Sequence, residues 1–132
     1  MDKQISSGLF VFLSLVIWLI ATSILRLWGH IFFIPSALSM SVNFLWFLCF
    51  LPLVVYGIFR WQKVPPQQHQ DVAIYLAVPG MLLDVLTTYF FPQVFPNMLP
   101  SLDGPFGAWL LWGYAIVLMT GVITSRFSLS LK

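Results

Sequence analysis

From Gly8 to Leu25 the chain carries no charged residue, and that apolar run is the first of four. A helix needs about 20 largely apolar residues to cross a bilayer core. The first run continues past Arg26 and His30 to about Ile34. Three more qualify: about 41–59, carrying Pro52; about 72–91, containing Pro79 and Gly80; and about 106–124. Only 8% of the 132 residues are charged and 60% are hydrophobic, against about 25% charged in a soluble domain. Such a chain cannot cover a water-facing surface. The expected fold is therefore all-α, a four-helix transmembrane bundle forming one domain over residues 1–132, with helices at about 8–34, 41–59, 72–91 and 106–124.

The same composition removes whole classes of function. A net charge of +2 with no basic cluster argues against nucleic acid as a partner. Cys49 is the only cysteine, so an intrachain disulfide, a Cys-x-x-Cys redox centre and a cysteine metal cluster are all impossible. Quinone-linked thiol oxidoreductases of four helices fall with them. A cleavable signal peptide does not fit the first segment, because the apolar run is too long, lacks an A-x-A site and resumes after Arg26 as LWGHIFFI.

Orientation follows from where the cations fall. Lys3 precedes the first helix, Arg60 and Lys63 follow the second, and Arg126 and Lys132 follow the fourth, while SALSMS and PQVFPNMLPSLDGP have neither Lys nor Arg. The positive-inside rule then puts both termini and the middle connection in the cytoplasm. A bias this one-sided also counts against proteins that insert in both orientations, such as small multidrug exporters and fluoride channels built as antiparallel dimers. Trp28, Trp61, Tyr89, Trp109 and Trp112 lie near helix ends and read as an interfacial aromatic belt.

Two charges fall inside the spans, Arg26 and Asp84. Each costs at least ~2.5 kcal/mol at a helix centre, and such residues usually face a partner or a cavity. At 1.5 Å per residue both sit in the outer half, about 9 Å apart in depth. The expectation is a buried Arg26–Asp84 pair, extended to His30, within a polar cluster that includes Thr22, Thr87 and Thr88. Ser23 and Gly29 share the face of Arg26, and Gly80 shares that of Asp84. Gly80, Gly113 and Gly121 are expected at close helix contacts. Asn43, near the outer end of the second helix, can join the polar cluster or remain interfacial. His30 and His69 fall on opposite sides, so they cannot clamp a haem together, and His69 beside Asp71 reads as a solvated loop residue. No metal site and no cofactor is expected.

Four prolines crowd FFPQVFPNMLPSLDGPFG: Pro92, Pro96, Pro100 and Pro105. They exclude a continuous helix. Phe91, Val94, Phe95, Met98 and Leu99 nevertheless keep the segment apolar, so it should fold down as a flap over the bundle mouth. Asp103 is expected to N-cap the fourth helix, with Pro105 in its first turn. Pro79-Gly80 is expected to loosen the third helix below Asp84. No nucleophile–base pair or carboxylate dyad accompanies these residues, so the chain reads as non-enzymatic rather than catalytic.

PGMLLDVLTTYFFPQVFPNM (79–98) followed by DGPFGAWLLWGYA (103–115) resembles a bacterial family of short four-helix membrane proteins known only as a domain of unknown function. Trp18, Leu19, Ile20, Arg26, Leu27 and Gly29 fit the same pattern. The resemblance covers about the last half of the chain and implies a multi-pass protein of the bacterial plasma (inner) membrane. It carries no mechanism. Three functions remain from the sequence. First is an accessory or self-associating bundle, whose partners are the lipid bilayer and other membrane proteins or copies of itself. Second is a small transporter or channel with an outward-facing polar pocket at Arg26 and Asp84. Third is an enzyme acting on a lipid or quinone.

Overall fold

The computed structural model describes residues 7–130; Lys3 and Lys132, used above for orientation, lie outside them. Helix α1 spans Ser7–Phe32 and α2 spans Ala37–Trp61. A 3-10 turn at Pro66–Gln68 leads into α3, His69–Tyr89. A single turn α4, Phe91–Val94, and a second 3-10 turn, Pro100–Leu102, lead into α5, Asp103–Ser130. There is no strand among the described residues. All four long helices are long and apolar enough to cross a membrane. They overrun the expected limits at most ends, because polar flanks such as Arg60 and Trp61, or Gln70 and Asp71, continue the helix at little cost in interfacial water.

Local chemistry explains the boundaries. Pro35 follows α1, and the Ser36 hydroxyl then accepts the Ser39 N–H at 3.1 Å to cap α2. At the far end of α2, Lys63 takes a φ of 53°. The chain reverses there as Val64 N–H bonds back to the Phe59 carbonyl at 2.8 Å. Helix α3 runs unbroken through Pro79, so the expected loosening is not a break in the element.

The packing order differs from the chain order. Helix α1 lies on α3, α3 on α5, and α5 on α2. The backbones of α1 and α2, though joined by a short turn, seldom approach each other closely. Two apolar cores sit at opposite ends. At the connection end, the proline-rich segment folds down as a flap: Phe91, Phe95, Met98 and Leu102 pack with Leu25, Phe33, Phe106 and Trp109. At the terminal end, Phe10 of α1 packs with Val55, Phe59 and Val64 and with Val72 and Ala73 of α3. Trp109 therefore belongs to the core rather than to an aromatic belt; its ring stacks on Phe47 at 4.1 Å. Trp28, Trp61 and Tyr89 stay exposed, as a belt requires.

His69 also departs from expectation. It is buried, not solvated. Its Nε2 donates to the Val64 carbonyl at 3.1 Å, Nδ1 lies 2.9 Å from the Thr124 hydroxyl, and the ring stacks on Phe59 at 4.1 Å. One imidazole thus ties the α2–α3 connection to α5.

Small residues set the closest helix approach. A Cβ on Gly121 would stand 2.9 Å from the His69 carbonyl oxygen, which is backbone and cannot swing away. A Cβ on Gly57 would meet nothing within 4 Å. Gly121→Ala should therefore cost about 1–3 kcal/mol through overpacking, whereas Gly57→Ala should be neutral or gain up to about 1 kcal/mol of helix propensity. Thermal unfolding of the two variants in the same lipid mimetic checks this; equal midpoints would contradict the α3–α5 contact.

Candidate functional site

Between the two cores lies a polar layer centred on Asp84, a buried residue of α3. Trp18 of α1 donates its indole N–H to Asp84 Oδ1 at 2.8 Å. Thr87, one turn further along α3, donates to the same oxygen at 2.9 Å. Tyr114 of α5 donates its hydroxyl to Oδ2. Three helices thus converge on one carboxylate. Each hydrogen bond to a charged group contributes roughly 1.5–3 kcal/mol, and together they exceed the ~2.5–3.5 kcal/mol cost of placing an aspartate at a helix centre. Neutral donors suffice to hold the acid in the membrane.

This corrects the expected Arg26–Asp84 pair. Arg26 is exposed, and its guanidinium donates to the Val94 carbonyl of the flap at 3.2 Å. Asn97 reaches back from the flap to the Arg26 carbonyl at 2.8 Å. Among the described residues the two charges form no ion pair. The physical reason is reach: a long side chain near a helix end extends toward the polar boundary, where the irregular flap offers an unpaired carbonyl. Arg26 therefore fastens the flap to α1, and Asp84 is satisfied one layer deeper.

The other expected site residues separate in the same way. Thr87 joins Asp84; Thr22 is half-buried on the wall of the cleft described below; Thr88 is half-buried near Gly107; His30 is exposed and apart from the carboxylate. Asn43 is buried and ties α2 to α1, donating to the Phe32 carbonyl at 2.7 Å. Asp103 is the first residue of α5 with helical backbone angles, so it is not an N-cap. Its carboxylate still accepts the Gly104 N–H at 2.7 Å. Gly80, Gly113 and Gly121 all lie at close contacts. Trp18 and Tyr114, though both fall in the stretches that carry the family resemblance, are not among the polar-cluster residues expected from the sequence. Their signal was depth: both lie mid-helix, where a buried indole N–H or phenol needs a polar partner.

Gly80 makes the arrangement possible. A Cβ there would stand 2.8 Å from the Tyr114 hydroxyl and displace it from Asp84. With the hydroxyl gone, the nearest ring carbons would be at 3.5 and 3.6 Å, an ordinary contact.

Because α1 and α2 diverge, a cleft opens between them over the α3–α5 seam. Its volume is about 330 Å³, within the roughly 300–1,000 Å³ of small-molecule pockets. Aromatic and aliphatic side chains line most of it, including Phe33, Trp46, Phe47, Phe50, Trp109 and Leu110. The polar exceptions are few: Asp84 and Tyr114 on one wall, Thr22 and Ser14 on α1, and Asn43 toward the connection end. Ser14 is buried, and its hydroxyl has no hydrogen-bond partner among the described residues. No group of three or more His, Cys, Asp or Glu suited to a metal ion is gathered among the described residues.

The fold and this site define a class: a small membrane-spanning helix bundle with a largely apolar lateral cleft and one carboxylate in its wall. The chain belongs to a family of unknown function (DUF5367), whose model matches residues 31–128. No curated protein and no solved structure matches it.

Two outcomes test the geometry. Gly80→Ala should destabilise the bundle by about 1–3 kcal/mol, and by much less in a Tyr114→Phe background, a coupling that a double-mutant cycle in denaturant reads directly. Arg26→Ala and Asp84→Asn should instead add within about 0.5 kcal/mol, as independent sites do. A large Arg26–Asp84 coupling would contradict the separation described here.

Proposed function

We propose that this chain is a non-catalytic multi-pass protein of the bacterial plasma membrane that binds a lipophilic molecule within the bilayer, in the cleft between α1 and α2. One observation carries the reading: the apolar cleft of about 330 Å³ between two helices that do not close on each other. In a bilayer no hydrophobic force closes such a gap, since lipid tails are as apolar as the side chains, so it stands open to an apolar molecule of the membrane. The termini and the α2–α3 connection face the cytoplasm on this reading, because Arg60, Lys63 and Arg126 gather at that end.

The accessory role expected from the sequence makes a different demand on the same cleft. There, a helix of another membrane chain or of a second copy would be the occupant. The walls favour the small molecule: the hydrogen-bonded Asp84–Tyr114 pair and Ser14 are a few polar points in an otherwise apolar lining, the pattern by which small-molecule sites fix orientation.

Medium-chain lipophiles such as dodecanol should raise the unfolding midpoint of the protein in lipid nanodiscs. A site occupied at 100 times its Kd stabilises by about 2.7 kcal/mol. Ala21→Phe, which sets a ring on the α1 wall of the cleft, should remove the shift while leaving the folded yield unchanged. A shift that survives this variant would place the binding elsewhere and refute the proposal.

A further inference from the structure

The charge balance inside the cleft goes one step beyond an apolar ligand. Trp18, Thr87 and Tyr114 all donate to Asp84, and all three are neutral groups. They stabilise the carboxylate without neutralising it. Arg26, the cation expected to do so, is held by the Val94 carbonyl instead. The wall of the cleft thus presents an anionic group with no cationic partner among the described residues.

Among the described residues Oδ2 accepts from Tyr114 alone. A carboxylate offers about four lone-pair sites, so acceptor capacity remains on that oxygen. Ser14, one turn of α1 from Trp18, adds a buried hydroxyl with no partner among the described residues. The same cleft is lined by the aromatic rings of Trp46, Phe47 and Trp109, which give an apolar ligand body its contacts.

From this charge complementarity we infer that the cleft selects a lipophilic amine: an apolar body among the aromatic rings and a protonated nitrogen against Asp84. The inference rests on the cleft being a binding site, as proposed above. A neutral lipophile of the same length fills the same space without meeting the charge. A desolvated cation–carboxylate contact is worth far more than an exposed one, so the two ligands should differ clearly in affinity.

The test is calorimetric titration of dodecylammonium and of dodecanol into the full chain in zwitterionic nanodiscs, with empty discs subtracted. The amine should bind at least about tenfold more tightly than the alcohol, and Asp84→Asn should reduce its affinity to that of the alcohol. Tyr114→Phe keeps the charge and frees Oδ2, so it should bind the amine at least as tightly as the unsubstituted protein, which preserves the test if Asp84→Asn does not fold. Equal affinity for amine and alcohol, amine binding that survives Asp84→Asn, or loss of amine binding in Tyr114→Phe would each overturn the inference. If amine and alcohol bind equally and Ala21→Phe blocks both, only the amine selectivity falls. If neither binds, the cleft reading falls with it.

Discussion

Everything between the two ends of this bundle depends on how one carboxylate is satisfied in the absence of water. Asp84 collects an indole N–H from α1, a hydroxyl from its own helix and a phenol from α5. In hydrocarbon an unsatisfied polar group costs several kcal/mol, so each donor is held in place by the penalty of leaving. That penalty fixes the register of α1 on α3 and of α5 on α3 at one depth. Apolar packing alone sets register weakly among Leu, Ile and Val side chains that resemble the lipid around them.

The end cores then act as clamps on either side of this layer. At the connection end the flap is an apolar plug, with Phe91, Phe95 and Met98 turned inward. Arg26 and Asn97 tie it to the last turns of α1, each side chain donating to a backbone carbonyl of the other segment. At the terminal end His69 performs the equivalent service, joining the Val64 carbonyl to Thr124. Both irregular connections are thereby held by side chains that reach backbone carbonyls, the groups a membrane protein can least leave bare.

The membrane class and the four spans were legible in the sequence because they rest on length and polarity, which local composition reports. The apolar flap was legible for the same reason: Phe91, Phe95 and Met98 are too apolar for a solvated loop. The partner of Asp84 was not. Charge suggested Arg26, the sole cation inside a span, but a hydrogen-bonded carboxylate has no need of a charge, and neutral donors leave little trace in composition. Trp18 and Tyr114 look like ordinary membrane aromatics until the depth of their polar tips is considered. His69 was misread because a polar run such as QQHQD suggests solvent, whereas its burial depends on Gly121 letting α5 approach the start of α3. That contact joins residues far apart in the chain.

Small residues also decide where the bundle stays open. Gly121 and Gly80 lie on the α3–α5 seam, the first against the backbone of α3 and the second under the Tyr114 hydroxyl. Gly113 lies on the α5–α2 seam, against Phe47 and Leu51. Close approach is therefore built into α3–α5 and α5–α2. Across the remaining gap α1 presents Ile17, Trp18 and Leu25, and α2 presents Trp46, Phe47 and Phe50. Large side chains on both sides keep the two backbones apart, while the 33–36 turn joins α1 and α2 at one end and Phe10 packs with Val55 and Phe59 at the other. Close-contact glycines thus mark the α3–α5 and α5–α2 seams and none lies across this gap, and the carboxylate wall faces the space that results.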